Sequence, residues 1–533
     1  MHYCRLAAAV LLTSILASSA PRTRAEAASP SPTSFHLLEA SIDDIHQAFR
    51  SKRITCHSLV DLYLKRIQAY DKVGPSLNAI QSINAGALSE ADRLDAAFRS
   101  SGLVGPLHCI PVLVKDQIET NNMPTTYGSV LFKDFIPKRN ATVITNLKNA
   151  GAVILGKTTM GEFASGYLGS GFGIVRNAYD QRRYASGSSG GTGSAIAANF
   201  ATVGIGEDTG GSIRGPAAVN NLVGLRPTVP LVSRFGILPA RPTTDTLGPI
   251  TRTVRDAAVL LDVIAGYDPH DRITAYSVGH IPASYRASLT SEGLKGARLG
   301  IIREPMDPKA DSKSDDYKRF RAVTDRAIRD LKLLGAEILN PLTIPDLKDR
   351  IRKLYEGNVF ETEQAIDDYF AQHANAPVKS LAEILRSGKV VPARATTLRS
   401  NLGRSTNETG YLKLLLLQEE TRQLVLALMA DNHLDALVYA TFDQPPAFVT
   451  PDALTNPKIE LQGLGNNRRL SPVLGFPAMT LPGGLTADGL PVGLEFLARP
   501  FSENTLFRLG YAYEQGTHHR RAPPSEPALR DEP

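Results

Sequence analysis

Cysteine is scarce in this chain of 533 residues, which has three, the first of them at position 4. The other two, Cys56 and Cys109, are too few to form a disulfide framework for a chain of this length. No grouping of cysteine and histidine has the spacing of metal ligands, so we expect no metal site. Stability therefore has to come from the burial of an apolar core, for which about 500 residues are ample.

A concentrated block of charge is also missing. The net charge of +6 is spread along the chain, whereas nucleic-acid binding needs a clustered basic face. We therefore expect no nucleic-acid partner. Beyond the N-terminus no apolar run is long enough to cross a bilayer, so we also expect no stable membrane span in the mature protein.

The N-terminus has the pattern of a secretion signal. Arg5 precedes LAAAVLLTSILASSA (residues 6–20), which matches the apolar region of a signal peptide in length and is short for a membrane span. The tripeptide AEA, which ends at Ala27, offers a cleavage site of the A-x-A type. We predict a signal peptide over residues 1–27, a linker over residues 28–34, and a periplasmic or secreted product. An uncleaved anchor or a disordered tail is the alternative.

Helices dominate the first part of the chain after the linker. Ser41 and Asp44 have the spacing of a capping box, and Thr55 is placed to cap a second amphipathic helix. A third helix is predicted over residues 85–98. The last residues, 521–533, are predicted to be a loose tail.

From residue 107 onward, short apolar runs alternate with helical segments, which is typical of an α/β fold. The same texture returns after a charged, helical stretch at residues 305–430, so one sheet draws strands from both ends of the chain. We therefore predict a single large domain over residues 35–520, with a core at 107–260, a helical layer at 305–430 and C-terminal strands at 434–500. The predicted strands include PVLVK (111–115), AVIL (152–155), ATVGIG (201–206), LDALVYAT (434–441), FPAMTLP (476–482) and GLPVGLEFLA (489–498).

The octet GAVILGKT at residues 151–158 satisfies the phosphate-loop pattern G-x-x-x-x-G-K-[ST]. Its four variable residues are all apolar and suit a buried strand better than a loop whose N–H groups turn inward. We interpret Gly151 as the residue that ends a helix, Gly156 as the end of a strand, and Thr158 or Thr159 as the cap of the next helix. Lys157 is then a bystander, and no nucleotide is expected.

A second pattern, GSSGG at residues 187–191, matches the nucleophile elbow of α/β-hydrolases with Ser189 at its centre. That elbow needs an apolar strand directly before it, but the preceding residues are QRRYAS. The missing strand disfavours a Ser–His–Asp esterase centred on Ser189, which we keep as an alternative.

The segment GEDTGGSIRG, residues 206–215, follows an apolar strand and places Ser212 after two glycines. The backbone N–H groups from Thr209 to Ser212 can converge on one point, as in an oxyanion hole. A serine needs a base to take its proton. Lys115 ends the apolar strand PVLVK, where desolvation would lower its pKa and favour the neutral amine. The structural alternatives are that Ser212 caps a helix after a tight Gly-Gly turn and that Lys115 is an ordinary lysine at the end of a strand.

Together these segments resemble the amidase signature family of serine hydrolases. The resemblance extends over GPLHCIPVLVKDQIET, GAVILGKTTMGEF, GSSGGTGSAIAANFATVGIGEDTGGSIRGPA and NNLVGLRPT, and returns in GFPAMTLPGG and GLPVGLEFLARPFSE. It implies one α/β/α domain with a mixed sheet covered by helices. Two departures are visible, since Cys109 stands where the family often has glycine and Ala440-Thr441 where it often has Pro-Thr.

The resemblance also implies roles for individual residues in a Ser–cis-Ser–Lys triad. Ser212 is the expected nucleophile, Ser188 the bridging serine after a cis peptide bond, and Lys115 the base. The remaining implied residues are the oxyanion-hole backbone of Thr209, Gly210, Gly211 and Ser212, and the supporting side chains of Ser189, Asp208 and Arg214.

The implied reaction is hydrolysis of a carboxylic amide C–N bond through an acyl-enzyme, with no cofactor. The family includes the glutaminase-like protein that amidates charged transfer RNA together with partner subunits, but a signal peptide favours exported members such as peptide amidases. A small-molecule or peptide amide is the expected substrate, and a monomer or homodimer the expected assembly. A catalytically inactive amidase fold that only binds amides is a further alternative.

Overall fold

The computed structural model describes residues 35–530 and residue 532, so the predicted signal peptide and linker lie outside the described residues. In chain order the strands are β1 (Ile80–Ile83), β2 (Pro111–Lys115), β3 (Val153–Thr158), β4 (Leu168–Gly169), β5 (Gly173–Ile174), β6 (Val203–Asp208), β7 (Val223–Arg226), β8 (Thr246–Thr251), β9 (Arg298–Ile301), β10 (Glu337–Leu339), β11 (Ala436–Ala440), β12 (Ala478–Leu485) and β13 (Pro491–Leu497).

Within the described residues, eleven strands form one mixed sheet in the order β1-β3-β2-β6-β8-β7-β12-β13-β11-β9-β10, and β4 pairs with β5. Strand β2 is parallel to both β3 and β6, whereas β12 and β13 are antiparallel and lie between β7 and β11. The prediction that both ends of the chain contribute to one sheet is therefore confirmed.

The α-helices cover this sheet. They are α1 (Ile42–Arg50), α2 (Cys56–Tyr70), α3 (Ala87–Ser101), α4 (Thr142–Asn149), α5 (Gly190–Ala197), α6 (Arg214–Val219), α7 (Val254–Ile264), α8 (Asp315–Leu333), α9 (Leu347–Glu356), α10 (Thr362–Ala371), α11 (Leu381–Arg386), α12 (Pro392–Arg399), α13 (Thr409–Asp431), α14 (Leu470–Leu474) and α15 (Glu503–Thr517). Short 3-10 helices occupy Val130–Phe132, Glu162–Ala164, Arg272–Ser277 and Tyr285–Ser288. In this part of the chain no helix is both long and apolar enough to span a membrane.

Local sequence decides where the first helices begin. Ser41 and Asp44 form the predicted capping box in front of α1, and Thr55 with Ser58 forms another in front of α2. One apolar cluster packs α1–α5, α7 and α15 against the sheet, and a second packs α9 and α13 against β11 and β13. The helical layer predicted for residues 305–430 is present as α8–α13, interrupted only by the short edge strand β10.

The octet GAVILGKT differs from its prediction in two places. Gly151 does follow the end of α4 with a φ of +91°, but Gly156 lies inside β3 and does not end it. Its missing side chain leaves room for the neighbouring strand, because a Cβ there would lie 2.5 Å from the carbonyl oxygen of Ser82. Thr158 is the last residue of the strand, and only the 3-10 helix at Glu162–Ala164 follows, so the predicted helix cap is wrong.

The C-terminal segment packs against α2. Arg66 is fully buried and donates hydrogen bonds to the carbonyl oxygens of Glu526 (2.9 Å) and Pro527 (3.1 Å). Its Nη1 also lies 2.8 Å from the buried Glu532 carboxylate. The prediction of a loose tail over residues 521–533 is therefore wrong for the described residues, because a buried guanidinium needs acceptors and this segment supplies them.

Cys56 and Cys109 form a disulfide, with their Cα atoms 5.7 Å apart. It links the first residue of α2 to the turn before β2. Cys109 has a φ of 55°, in the left-handed region that glycine occupies most easily. The sequence analysis did not predict this bridge, since two cysteines 53 positions apart carry no spacing signal.

We expect the bridge to stabilise the fold. Replacing both Cys56 and Cys109 with serine should lower the free energy of unfolding by about 2 to 4 kcal/mol, because the unfolded chain regains the entropy that the cross-link removes. Denaturant unfolding with and without dithiothreitol measures this. The reductant should destabilise the wild type and leave the double variant unchanged; equal sensitivity of the two would contradict the expectation.

Candidate active site

The ends of two neighbouring parallel strands position the candidate catalytic groups. Strands β2 and β6 run side by side, with Val112 opposite Val203 and Val114 opposite Ile205. Their carboxyl ends therefore meet at one edge of the sheet, which is where open α/β sheets bind ligands. This register brings Lys115, the last residue of β2, beside the end of β6 and the loop that follows it.

Lys115 is fully buried and makes three hydrogen bonds through its Nζ atom. The acceptors are Ser188 Oγ at 2.7 Å, Glu207 Oε2 at 2.7 Å and the Glu207 carbonyl oxygen at 3.2 Å. Burial is the largest influence on this amine and lowers its pKa, whereas the Glu207 carboxylate acts in the opposite direction. The sequence-based pairing of Lys115 with Ser188 is thus present in the structure.

Ser188 lies in a bend just before α5, within the segment GSSGG. The peptide bond from Gly187 to Ser188 is cis, as the family resemblance implied. A Cβ on Gly187 would lie 1.7 Å from the carbonyl oxygen of Gly166, so this position admits only glycine. In the part of the chain that the structure describes, no hydrogen bond joins the hydroxyls of Ser188 and Ser212; a backbone bond from the Ser189 N–H to the Ser212 carbonyl (3.3 Å) connects the two segments.

Ser212 lies on the wall of a cavity of about 270 Å³. Ser212 is 9% exposed, whereas Ser188 and Lys115 are fully buried. The rest of the wall has both polar and apolar surface. It comes from residues 164–165 and 240–241, the loop after β6, α9, α10 and α12 with the residues next to them, and residue 462. Of the three predicted triad residues, only Ser212 therefore faces a space that a substrate can enter.

Asp208 and Arg214 hold the loop that carries Ser212. The Asp208 carboxylate accepts hydrogen bonds from the N–H groups of Gly211 (2.7 Å) and Ile213 (3.1 Å), and from Arg214 Nε (3.3 Å). Burial alone would raise the pKa of this carboxyl, but Arg214 and Arg226 outweigh burial and hold it well below its usual range. Arg214 also pairs with Glu495 on β13, so the loop is tied to strands from both ends of the chain.

The predicted oxyanion hole needs one correction. The Gly211 N–H is committed to Asp208, because this bond closes the turn in front of Ser212. Gly211 itself has a φ of +109°, and a Cβ there would lie 2.5 Å from Arg468. The N–H groups of Thr209, Gly210 and Ser212 have no hydrogen-bond acceptor among the described residues, so these three can still donate to a developing oxyanion.

Ser189, the centre of the esterase alternative, has a structural position. Its hydroxyl is fully buried, donates to the Glu207 carbonyl (3.1 Å) and accepts from the Glu207 N–H (3.3 Å). It precedes α5 and follows a loop, not a strand. This arrangement fits the predicted supporting role and disfavours Ser189 as a nucleophile.

Two site residues escaped the sequence analysis. Glu207 contacts the amine of Lys115, and the buried Arg468 donates to the carbonyl oxygens of Gly187 (3.3 Å) and Gly211 (3.0 Å), which joins the two serine-bearing segments. An acidic residue near the end of the apolar strand VGIGED was a usable signal for Glu207. Arg468 is more than 250 residues from Gly211, and nothing local distinguishes it.

Lys157, the lysine of the octet, lies on β3, next to the strand β2 that ends at Lys115. Its hydrogen bond and ion pair are with other residues than the three serines of the site. It is fully buried, donates to Thr125 Oγ1 and lies 3.8 Å from Asp116. Burial lowers its pKa to about 8. Its buried contacts with Thr125 and Asp116 give it a structural role that the word bystander did not include.

Replacing Lys157 with methionine should lower stability by about 3 kcal/mol, because Asp116 loses its buried partner. The kcat/KM of the folded variant should stay within a few-fold of wild type, and ATP should have no effect. Urea unfolding and amide hydrolysis at low temperature measure the two effects. A 100-fold kinetic loss in folded protein would contradict the structural role.

Comparison with known proteins agrees with this geometry. The family model described as Amidase matches residues 58–507. The chain belongs to the amidase signature family. It is 32% identical to a probable amidase from Arabidopsis thaliana, with 92% of each chain covered. It is also 34% identical to one of the subunits of the glutamyl-tRNA(Gln) amidotransferase of Syntrophobacter fumaroxidans, over 91% of this chain and 98% of that one.

Among solved structures, the native peptide amidase of Stenotrophomonas maltophilia superimposes with a TM-score of 0.82 at 33% identity, over 92% of this chain and 99% of that one. The mixed sheet covered by helices is therefore the amidase fold, as predicted. An enzyme of this family hydrolyses carboxylic amide C–N bonds, which confirms the predicted reaction class.

Proposed function

We propose that this amidase hydrolyses its substrate through an acyl-enzyme on Ser212, with Ser188 as proton bridge and Lys115 as base. The observation that carries the proposal is the 2.7 Å hydrogen bond between Lys115 Nζ and Ser188 Oγ. Both groups are fully buried, and Ser212 alone of the three lines the cavity. A desolvated amine is easier to hold in the neutral form that a base requires.

The proposed proton path follows that order of residues. Neutral Lys115 takes the hydroxyl proton of Ser188 as Ser188 takes that of Ser212, and the Ser212 oxygen attacks the amide carbonyl. The N–H groups of Thr209, Gly210 and Ser212 hold the oxyanion. The proton then returns along the path to the leaving nitrogen, the C–N bond breaks, and water attacks the ester by the same route. The Ser188–Ser212 hydrogen bond has to form in the substrate complex, where catalytic contacts tighten.

We also propose that the enzyme is exported, with cleavage near Ala27. The Cys56–Cys109 disulfide supports this location, because structural disulfides persist in oxidising compartments and are rare in the cytosol. Mass spectrometry of the mature protein should find an N-terminus close to Ala28. An intact N-terminus on cytosolic protein would contradict export and leave the amidase activity unaffected.

Labelling with a fluorophosphonate tests the nucleophile. Proteolysis and mass spectrometry should place the label on Ser212, since it is the triad hydroxyl on the cavity wall. A label on Ser189 would instead support the esterase alternative. Complete absence of labelling in folded protein would support an inactive amide-binding fold.

A further inference from the structure

Two arginines line the cavity that contains Ser212. Arg241 donates from Nη1 to the Tyr355 carbonyl (2.8 Å), and its guanidinium lies 4.8 Å from the centre of the Tyr355 ring. Arg394 donates to the carbonyl oxygens of Glu162 and Phe163 and to a threonine hydroxyl. Within the described part of the chain, neither guanidinium has a carboxylate within 4 Å, so neither positive charge is in a direct ion pair.

The two charges also act on each other. Burial, followed by repulsion from Arg241, lowers the pKa of Arg394 to about 10. The acidic residue on the cavity wall, Glu356, is 56% exposed and lies 3.7 Å from a different arginine, Arg469. The cavity is therefore electropositive next to the candidate nucleophile. An arginine with unengaged donors is well suited to hold a carboxylate at two points.

We propose that the substrate is a small amide that carries a carboxylate, which Arg241 binds while the amide carbonyl lies at Ser212. This inference rests on the proposed function and adds the substrate class to it. The cavity of about 270 Å³ limits the bound part of the substrate to a small group, since pockets that bind drug-sized ligands measure about 300 to 1,000 Å³.

Matched charged and neutral amides test the substrate class. One pair varies the acyl part, succinic mono-4-nitroanilide against butyric 4-nitroanilide, and the other varies the amine part, 4-acetamidobenzoate against acetanilide. In at least one pair the charged member should have a kcat/KM about 10- to 100-fold higher, the effect of a charge-assisted hydrogen bond. Arg241→Met should remove that advantage through KM, so that the two members of the pair have a similar kcat/KM.

Arg469→Met is the matched control, because Arg469 lies over the same Tyr355 ring (4.2 Å) but does not line the cavity. It should keep the charged preference. Equal hydrolysis of both members of both pairs, or equal losses in the two variants, would overturn the anionic substrate class while the amidase proposal stands. Failure of the proposed function looks different, since Ser212 then takes no fluorophosphonate label.

A separate observation concerns the carboxylate behind the base. Glu207 is fully buried, and its two oxygens bond Lys115 Nζ (2.7 Å) and Thr209 Oγ1 (2.7 Å). A base has to be neutral to accept a proton, yet an anion at this distance favours the ammonium form. The strength of the base therefore depends on a residue outside the triad.

The other charged groups around this pair lie on β6 itself, at the end of β7 and directly before β8. Asp208 and Asp245 both act on Lys115 in the same direction as Glu207. Burial, and then repulsion from Glu207, raises the pKa of Asp245 to about 7. Arg226 faces Asp208 and Glu207 from the end of β7. Of the carboxylates, Glu207 is the one hydrogen-bonded to the amine.

We infer that Glu207 is a positioning residue that acts through Lys115 and sets the pH at which the enzyme becomes active. Activity should rise with pH as Lys115 loses its proton. Replacing the carboxylate with the isosteric amide removes the charge that favours the ammonium. The rise should then occur at a lower pH.

The pH profile of kcat/KM tests this role. Glu207→Gln should move the acidic limb to lower pH by at least about one unit, a tenfold gain relative to its own maximum at low pH. Glu207→Asp, which keeps the charge, should restore the limb towards its wild-type position. If Glu207→Gln does not fold, Asp245→Asn serves in its place and should give a smaller shift, also to lower pH. Glu503→Gln, another buried glutamate, should give no shift. An unmoved or upward-shifted limb in both folded variants would overturn the role.

Discussion

Replacing Ser212 with alanine is expected to lower kcat/KM by about 10⁴- to 10⁶-fold, the loss seen when serine hydrolases lose their nucleophile. The variant keeps the cavity, the oxyanion donors and the Asp208 network, so substrate should still bind. It cannot form the acyl-enzyme because no other hydroxyl of the triad reaches the cavity. Steady-state hydrolysis of an activated anilide measures the loss, and intact mass should show no acyl adduct.

Ser189→Ala is the matched control, since Ser189 is also a buried serine of the same region. It removes two hydrogen bonds to the backbone of Glu207, so a moderate loss of stability is expected with acylation retained at Ser212. A Ser212→Ala enzyme that hydrolyses the substrate at the wild-type rate would refute the assignment of the nucleophile. A reversed pattern, with activity lost only in Ser189→Ala, would favour the esterase alternative.

Replacing Lys115 with alanine should lower kcat/KM by about 10²- to 10⁴-fold, the usual contribution of a general base. The rise of activity with pH should disappear as well, because no amine remains to lose a proton. In the wild type this rise should lie below the range of an ordinary lysine, since burial lowers the Lys115 pKa. The rate of acylation by a fluorophosphonate as a function of pH measures both effects.

Lys157→Met again provides the control, because Lys157 is another fully buried lysine, on the neighbouring strand β3. Lys115→Ala also leaves Glu207 without its partner, so both variants should lose stability. Only Lys115→Ala should also lose acylation. Similar kinetic losses in the two variants would mean that the loss of either buried lysine disturbs the site, and would contradict the assignment of Lys115 as the base.

Patterns within a few residues predicted much of this structure. The capping boxes at Ser41 and Thr55 are local hydrogen-bond patterns and are present as expected. The strand PVLVK coincides with β2, and the pairing of Lys115 with Ser188 follows from family motifs in this chain. The exceptions had distant causes. Gly156 continues a strand because β1 lies against it, and the C-terminal segment is ordered around Arg66 of α2.

By itself the sequence determined the family and the α/β class and predicted the residues of the candidate triad, because glycine-rich turns and buried strands restrict which residues can stand at neighbouring positions. Only the tertiary structure decided that Glu207 bonds the base, that Arg468 joins the two serine segments, that Cys56 meets Cys109, and that Arg241 and Arg394 share the cavity of Ser212. These contacts join residues that are distant in the chain, or side chains whose direction depends on packing, so no local sequence pattern predicts them.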